Sequence, residues 1–448
     1  MSRRVVLLAT AMLSACSQVP PAPERNTALA SHPFTDTETV TLAPVVESES
    51  ALRAFPELQA LVQASLAANA DLRVAYATVD RARASAAEAR ALRLPQTAIE
   101  SSLRFDDRGS QPGVETTQTT DFDVAAAASW DVDLFGRLRA AALASRADAD
   151  ASAAAFEGLR LAIAAETVNA YLDHCAAIHG AKALNGAAEA QDRLTATLER
   201  QRAAGEVSGI EVAQAQAVQA SLRAGLPLLE AARQASRYRL AELQGRPPAE
   251  AAELAIDCEA IPALDTALPV GDGQALLLRR PDIREAERRL AAATARIGVA
   301  RAELYPRLNL GGAVGLLTGG LVANATPFLV WSFPNQSPAR ARIAQAEAGE
   351  RAALANWDAT VLRALREAET AIATVEQEAR RNAHLGNAVT AAARQAQRSA
   401  ARVRLGDATP LLRHDADRVE AQARLAKLQS DIALARSQFT LLRVLGAL

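Results

Sequence analysis

Residues 121–137 read Asp-Phe-Asp-Val-Ala-Ala-Ala-Ala-Ser-Trp-Asp-Val-Asp-Leu-Phe-Gly-Arg. Phe122, Val124, Ala126, Ala128, Trp130, Val132 and Leu134 take alternate positions, with Asp121, Asp123, Asp131 and Asp133 between them. A period of two sends alternate side chains to opposite faces of an extended chain, so the stretch reads as a strand with one apolar and one polar face. Upstream, Ile99, Ser101, Leu103 and Phe105 alternate with Glu100, Ser102 and Arg104, and a Gly/Pro/Thr-rich turn separates the two runs. The pair reads as a β-hairpin over 96–134. Beyond Gly136 the pattern changes: to Ala204 only Gly158, Gly180 and Gly186 interrupt a helical composition. A helix of that length reaches roughly 100 Å at 1.5 Å per residue, more than a compact domain needs. Gly205 breaks it, and a second helix returns over about Ser208 to Gln244, which makes a helical hairpin of 136–245.

The same order of elements occurs twice. Asp71-Leu-Arg73 returns as Asp282-Ile-Arg284, and Ala82, Ala84, Ala89, Arg90 and Pro95 return as Ala293, Ala295, Ala300, Arg301 and Pro306, all 211 residues later. Trp130, Gly205, Leu240 and Gly245 return as Trp331, Gly406, Leu441 and Gly446, all 201 residues later. Constant offsets on both sides of one step mark a duplication with a single ten-residue deletion between Pro306 and Trp331. The chain therefore divides into a first repeat over 55–248, a linker over 249–277 and a second repeat over 278–448. The first repeat opens with a helix from about Glu57 to Leu94, ended by Pro95, whose copy runs from about Pro281 to Tyr305. The second repeat continues with a shortened hairpin, 306–333, and a helical hairpin, 339–446. Leu425, Leu428, Ile432, Ala435, Phe439 and Leu442 are spaced three and four apart, as are Leu354, Trp357, Val361, Ala364, Ala368, Ala371 and Val375. These are coiled-coil seams.

Four strands with an apolar face cannot close a membrane barrel, because each unpaired backbone group in lipid costs several kcal/mol. Two copies would give a plugged barrel of about eight strands, and three copies about twelve strands around a wider lumen. The expected fold is thus mainly α with a small β part: a long coiled-coil α-barrel and a β-barrel, both formed by a trimer with four strands per subunit. The competing reading takes Leu308 to Phe333 as a transmembrane helix. That segment has no charged residue and spaces Gly311, Gly315 and Gly319 four apart. Its many glycines and Pro327 make a poor helix, and its repeat partner, 96–130, is too charged to span lipid.

Composition agrees. Of 448 residues only 4% are aromatic, and Ala fills positions where a wide core would need bulk. The net charge of −2, from 49 basic and 51 acidic residues, leaves no basic face for nucleic acid. Met1-Ser-Arg-Arg4, an apolar run Val5 to Leu13 and Leu13-Ser-Ala-Cys16 form a signal peptide, 1–15, too short to span a bilayer. Leu-Ser-Ala-Cys resembles a bacterial lipobox. The resemblance implies cleavage before Cys16, acylation of Cys16 by palmitate-type chains, and a lipidated linker over 16–54. Ser17 and Gln18 lack the Asp that signals inner-membrane retention in lipoproteins, which favours the outer membrane. Cys175 and Cys258 have no CxxC or His partner at ligand spacing, so no metal site is expected and both read as buried thiols. There is no Walker A, HExxH or GxSxG motif, and His32, His174, His179, His384 and His414 are scattered. An enzyme is not indicated, nor any cofactor.

Leu278-Arg-Arg-Pro-Asp-Ile283, Ala286-Glu-Arg-Arg-Leu290, Ala295-Arg-Ile-Gly298, Tyr305-Pro306 and Trp130-x-x-Asp133-Leu-Phe-Gly-Arg137 resemble the TolC-like outer-membrane efflux proteins in their NodT-like lipoprotein branch, over about residues 50–448. Gly205-x-x-Ser208 and Gly406-x-x-Thr409 resemble that family's hairpin-tip motif, with Asp415 where it commonly carries an acid. One departure is Phe333-Pro-Asn-Gln-Ser-Pro-Ala-Arg340, which replaces the usual junction and leaves the length of the fourth strand open. The resemblance implies a lipid-anchored homotrimer in the outer membrane, extending into the periplasm. It would be the passive exit duct of a tripartite pump for drugs or other small amphiphiles, conferring multidrug resistance, fed by a periplasmic adaptor and an inner-membrane resistance-nodulation-division pump. The alternative is an exit duct for type I protein secretion. Gly205, Ser208, Gly406 and Thr409 would be adaptor-contacting tips. Asp407 and Asp415, with Arg404 or Arg413 near them, would form acidic rings of a periplasmic gate.

Overall fold

The computed structural model describes residues 19–30, 52–107, 118–254, 256–264, 273–317 and 320–448. The expected signal peptide, 1–15, and Cys16 lie outside the described residues. The order is α1 (Pro56–Ala68), α2 (Ala70–Ala91), β1 (Gln96–Asp107), β2 (Gln118–Val132), α3 (Arg137–Ala203), α4 (Gly209–Leu243), a 3-10 turn (Pro248–Glu253), α5 (Gly273–Arg279), α6 (Pro281–Ala302), β3 (Arg307–Leu317), β4 (Gly320–Val330), α7 (Ser337–Arg404) and α8 (Pro410–Val444). Two compact units emerge. One gathers the described parts of 1–26, 76–155 and 282–360; the other gathers 27–75, 156–281 and 361–448. Each draws a matching piece from each repeat.

The transmembrane helix weighed over Leu308 to Phe333 is not formed: 308–317 lie in β3 and 320–330 in β4, and among the described residues no helix is long and apolar enough to cross a membrane. The four strands make one antiparallel sheet in the order β1-β2-β3-β4. Ten residues, 108–117, separate the strands of the first hairpin and only 318 and 319 those of the second, where Leu317 pairs with Gly320. Most of the ten-residue deletion therefore falls in the turn. The fourth strand matches its partner at 11 residues each, so it is not truncated against it.

The helix expected over Glu57 to Leu94 is broken at Asn69, whose ψ of 133° leaves the helical range. The break is stabilised by the side chain itself: Oδ1 accepts the Leu72 N–H at 3.1 Å and Nδ2 donates to the Leu243 carbonyl at 3.1 Å. Arg280 stands at the equivalent place in the second repeat, between α5 and α6, and its Nη1 donates to the Val444 carbonyl at 3.1 Å. Gly245 and Gly446 follow those helix ends with φ of 65° and 68°. A Cβ at Gly245 would stand 2.6 Å from the Ala68 carbonyl oxygen, so only glycine lets α4 end against this break.

The second unit is packed around Leu58, Val62, Val168, Leu172, Ile372, Val375, Phe439, Leu441 and Leu445. Cys175 and Cys258 sit in that core, but not as thiols. They form a disulfide with Cα atoms 5.5 Å apart. Their 83-residue separation carries no pairing signal in sequence, and the bond fits a chain that folds in an oxidising compartment.

Candidate functional site

The sheet presents one apolar face. Across the register Ile99 faces Ala126, Leu103 faces Phe122, Val124 faces Leu316, Ala126 faces Val314 and Trp130 faces Leu310. On the far side Leu308 faces Leu329, Leu310 faces Pro327, Val314 faces Ala323 and Leu316 faces Leu321. Opposite residues in an antiparallel ladder share a face, so these side chains form one continuous patch across four strands. It is open to solvent in the single chain: Ile99 is 82%, Leu321 79% and Leu329 62% exposed. Strands of 11 to 15 residues meet the roughly 9–11 that a tilted strand needs to cross a bilayer. Among the described residues, β1 and β4 are the outer strands of the sheet, each paired along one side only.

Aromatic side chains cluster where strands meet helices. The Trp130 indole donates to the Arg93 carbonyl at 3.0 Å, and that of Trp331 donates to the Leu304 carbonyl at 3.1 Å, the same contact in both repeats. Phe135 stacks on Tyr305 at 4.6 Å and Trp331 on Phe333 at 4.7 Å. Such amphipathic rings suit the headgroup level of a membrane. The first junction also explains its motif. Asp133 accepts the Leu138 and Arg139 backbone N–H groups at 2.9 and 2.7 Å, capping α3, while Gly136 has φ of 74° and Arg137 pairs with Asp131. In the second junction Pro334 replaces the capping acid, and Asn335 Oδ1 accepts the Ser337 N–H at 3.3 Å instead.

At the other ends of the long helices, the two tips are built alike. Gly205 and Gly406 each have φ of 76°. The Glu206 N–H bonds back to the Gln201 carbonyl at 2.9 Å and the Asp407 N–H to the Arg402 carbonyl at 3.0 Å, the six-to-one bond of a left-handed glycine cap. Ser208 and Thr409 are the N-caps of the returning helices. The Ser208 N–H donates to Glu211 Oε2 at 2.7 Å. Asp407 and Asp415 are exposed, and their partners are not the arginines expected. Arg402 holds Asp407 at 3.0 Å, Arg418 holds Asp415 at 2.7 Å, and Arg413 leans to Asp417 at 3.7 Å. Helical spacing decides the two pairs of α8, which lie three and four residues apart on one face, whereas Arg402 reaches Asp407 across the glycine turn. Between α3 and α4, Gln219 and Arg223 bond the Asp192 carboxylate at 2.7 and 2.9 Å and hold its pKa below the ordinary value.

His174 is buried between α3 and α4 with Nδ1 3.1 Å from Ser236 Oγ. Burial first, then Arg237 and Arg233, lowers its pKa. Among the described residues no His, Cys, Asp and Glu group could hold a metal ion.

The family model of outer membrane efflux proteins matches residues 61–246 and 273–447, once over each repeat. Nodulation protein T of Rhizobium leguminosarum bv. trifolii is 28% identical over 338 residues, 72% of this chain and 71% of that protein. The pyoverdine export outer membrane protein OpmQ of Pseudomonas putida is 30% identical over 347 residues, 71% of this chain and 70% of its own. The solved outer-membrane channel OprN superposes with a TM-score of 0.84 at 32% identity, covering 95% of this chain and 99% of that one. The chain belongs to the outer membrane efflux protein family. It is a mostly helical efflux channel of the outer membrane with a small antiparallel sheet, and its relatives are channel proteins rather than enzymes.

Proposed function

We propose that three copies of this chain close into the exit duct of a tripartite pump, with the sheets forming a barrel in the outer membrane and the helical hairpins a tube below it. The observation that carries this is the four-stranded sheet with an exposed apolar face and, among the described residues, two edge strands each paired along one side only. In lipid those edges must find partners, and symmetry-related copies supply them without any other component. Acyl chains on Cys16 add a second hold on the membrane, worth about 0.8 kcal/mol per buried methylene.

The glycine-capped tips then face the periplasm as the contact for an adaptor that couples the duct to an inner-membrane pump. Threefold symmetry turns Asp407 and Asp415 into acidic rings there, and rings of carboxylate attract cations and set selectivity. The names of relatives favour small solutes as cargo: pyoverdine for OpmQ, and cations for the efflux protein CusC of Escherichia coli, 27% identical over 331 residues. In this reading the inner-membrane pump supplies the energy for transport. Planar-bilayer reconstitution tests the reading. Purified protein is expected to give discrete, cation-preferring conductance steps, and a membrane-inserted protein that conducts nothing under any voltage would overturn it.

A further inference from the structure

The segment after α4 crosses the second unit as a strap and is fastened to four helices. Arg237 of α4 donates to the carbonyls of Ala251, Ala252 and Leu254 at 3.0 to 3.1 Å. Glu57 of α1 accepts the Asp257 N–H at 2.5 Å, and the buried Tyr171 hydroxyl of α3 donates to the Asp257 carbonyl at 3.1 Å. Burial, then the Glu57 carboxylate, holds that phenol in its protonated, donating form. Cys258 is bonded to Cys175 of α3. Finally Gln438 of α8, fully buried, grips Leu264 at both ends of its amide: Nε2 donates to the carbonyl at 2.9 Å and Oε1 accepts the N–H at 3.1 Å.

These fastenings share one level. Cys175, Arg237 and Gln438 stand 29 or 30 residues from the tip residues Gly205, Ser208 and Thr409 respectively, roughly 45 Å along each helix. The packing of α8 changes at this level. Toward its C-terminus Phe439, Leu441, Leu442 and Leu445 are buried in the core. Toward the tip Leu425, Leu428 and Ile432 instead border an open groove of about 610 Å³ against α3 and α4, which runs from Leu184 and Leu229 to Ala170 and Arg239 beside the strap. From His414 to Leu425 the helix borders another of about 120 Å³. Along these grooves α8 makes fewer apolar contacts with the first repeat's hairpin than it does from Phe439 to Leu442, so the strap is what ties it there.

We propose that residues 248–254 and 256–264 are an oxidation-dependent clasp that fastens α8 to the α3–α4 hairpin and serves as the fulcrum for opening at the tips. Closing the clasp removes two electrons and two protons from the Cys175 and Cys258 thiols and passes them to a disulfide-bearing periplasmic oxidant, which leaves as a dithiol. The tip movement rests on the gate reading above; the clasp itself does not.

Hydrogen exchange in detergent, read by mass spectrometry, tests the clasp, and bilayer conductance of the same samples reads the gate. The Cys175→Ser/Cys258→Ser protein and reduced wild-type protein are expected to exchange at least tenfold faster over 256–264 and 432–440, with a smaller rise over α6, 284–300, which lies in the other compact unit. Gln438→Leu keeps the disulfide and is expected to speed exchange in α8 alone, so the test survives if the double variant fails to assemble. More frequent openings in these proteins support the fulcrum. Faster exchange with unchanged openings removes the gate role and leaves the clasp. Unchanged exchange in an assembled, reduced protein overturns the proposal.

Discussion

Asn69 and Arg280 sit at the same point of the two repeats and reach equivalent carbonyls, Leu243 and Val444, with different side chains. Asn69→Ala leaves a buried carbonyl and the Leu72 N–H without those bonds, an expected loss of about 1–3 kcal/mol. Arg280→Ala also removes the guanidinium 2.9 Å from Glu367 and is expected to cost more. Thermal unfolding of the solubilised variants measures both. His174 supplies a pH dependence. Its folded pKa is lowered by burial, so the unfolded chain binds the proton more readily. Stability is full above about 6.5 and falls as pH drops below it toward the depressed folded value. His174→Gln is expected to flatten the acid limb of a stability profile between pH 7 and 5. At the tips, Asp415→Ala is expected to lower cation preference and weaken block by multivalent cations in bilayers. Unchanged selectivity and block in an assembled trimer would take Asp415 out of the pore lining.

The strands and long helices are elements a periodicity can reveal. Alternation from Phe122 to Val132 and the glycines at 205 and 406 carry their own structure, because each acts within a few residues. The break at Asn69 was hidden, since a residue tolerated inside a helix became a cap only through Leu243, far along the chain. The Cys175–Cys258 bond was hidden for the same reason. Repeat offsets did locate the deletion, but only pairing placed most of it in the turn. The sheet invites a direct test of its faces. Val314→Arg, at the centre of the apolar face, is expected to cost about 2–4 kcal/mol in lipid and to deplete assembled protein in membrane fractions. Ser102→Arg, on the opposite face, is expected to insert normally.

At the scale of the molecule, the duplication supplies two hairpins for one sheet and two helical hairpins, so under the proposed trimer each chain would provide a third of a closed wall. The strap between the repeats carries the Cys175–Cys258 disulfide that ties it to α3. Removing its disulfide is expected to cost about 2–5 kcal/mol, because the cross-link restrains the unfolded chain. What the whole account requires is closure by copies of this chain. Native mass measurement of protein released from outer membranes in mild detergent tests that most directly. The account predicts a single species carrying three copies, which loses its bilayer conductance when dissociated. A stable, folded monomer that conducts by itself would contradict it.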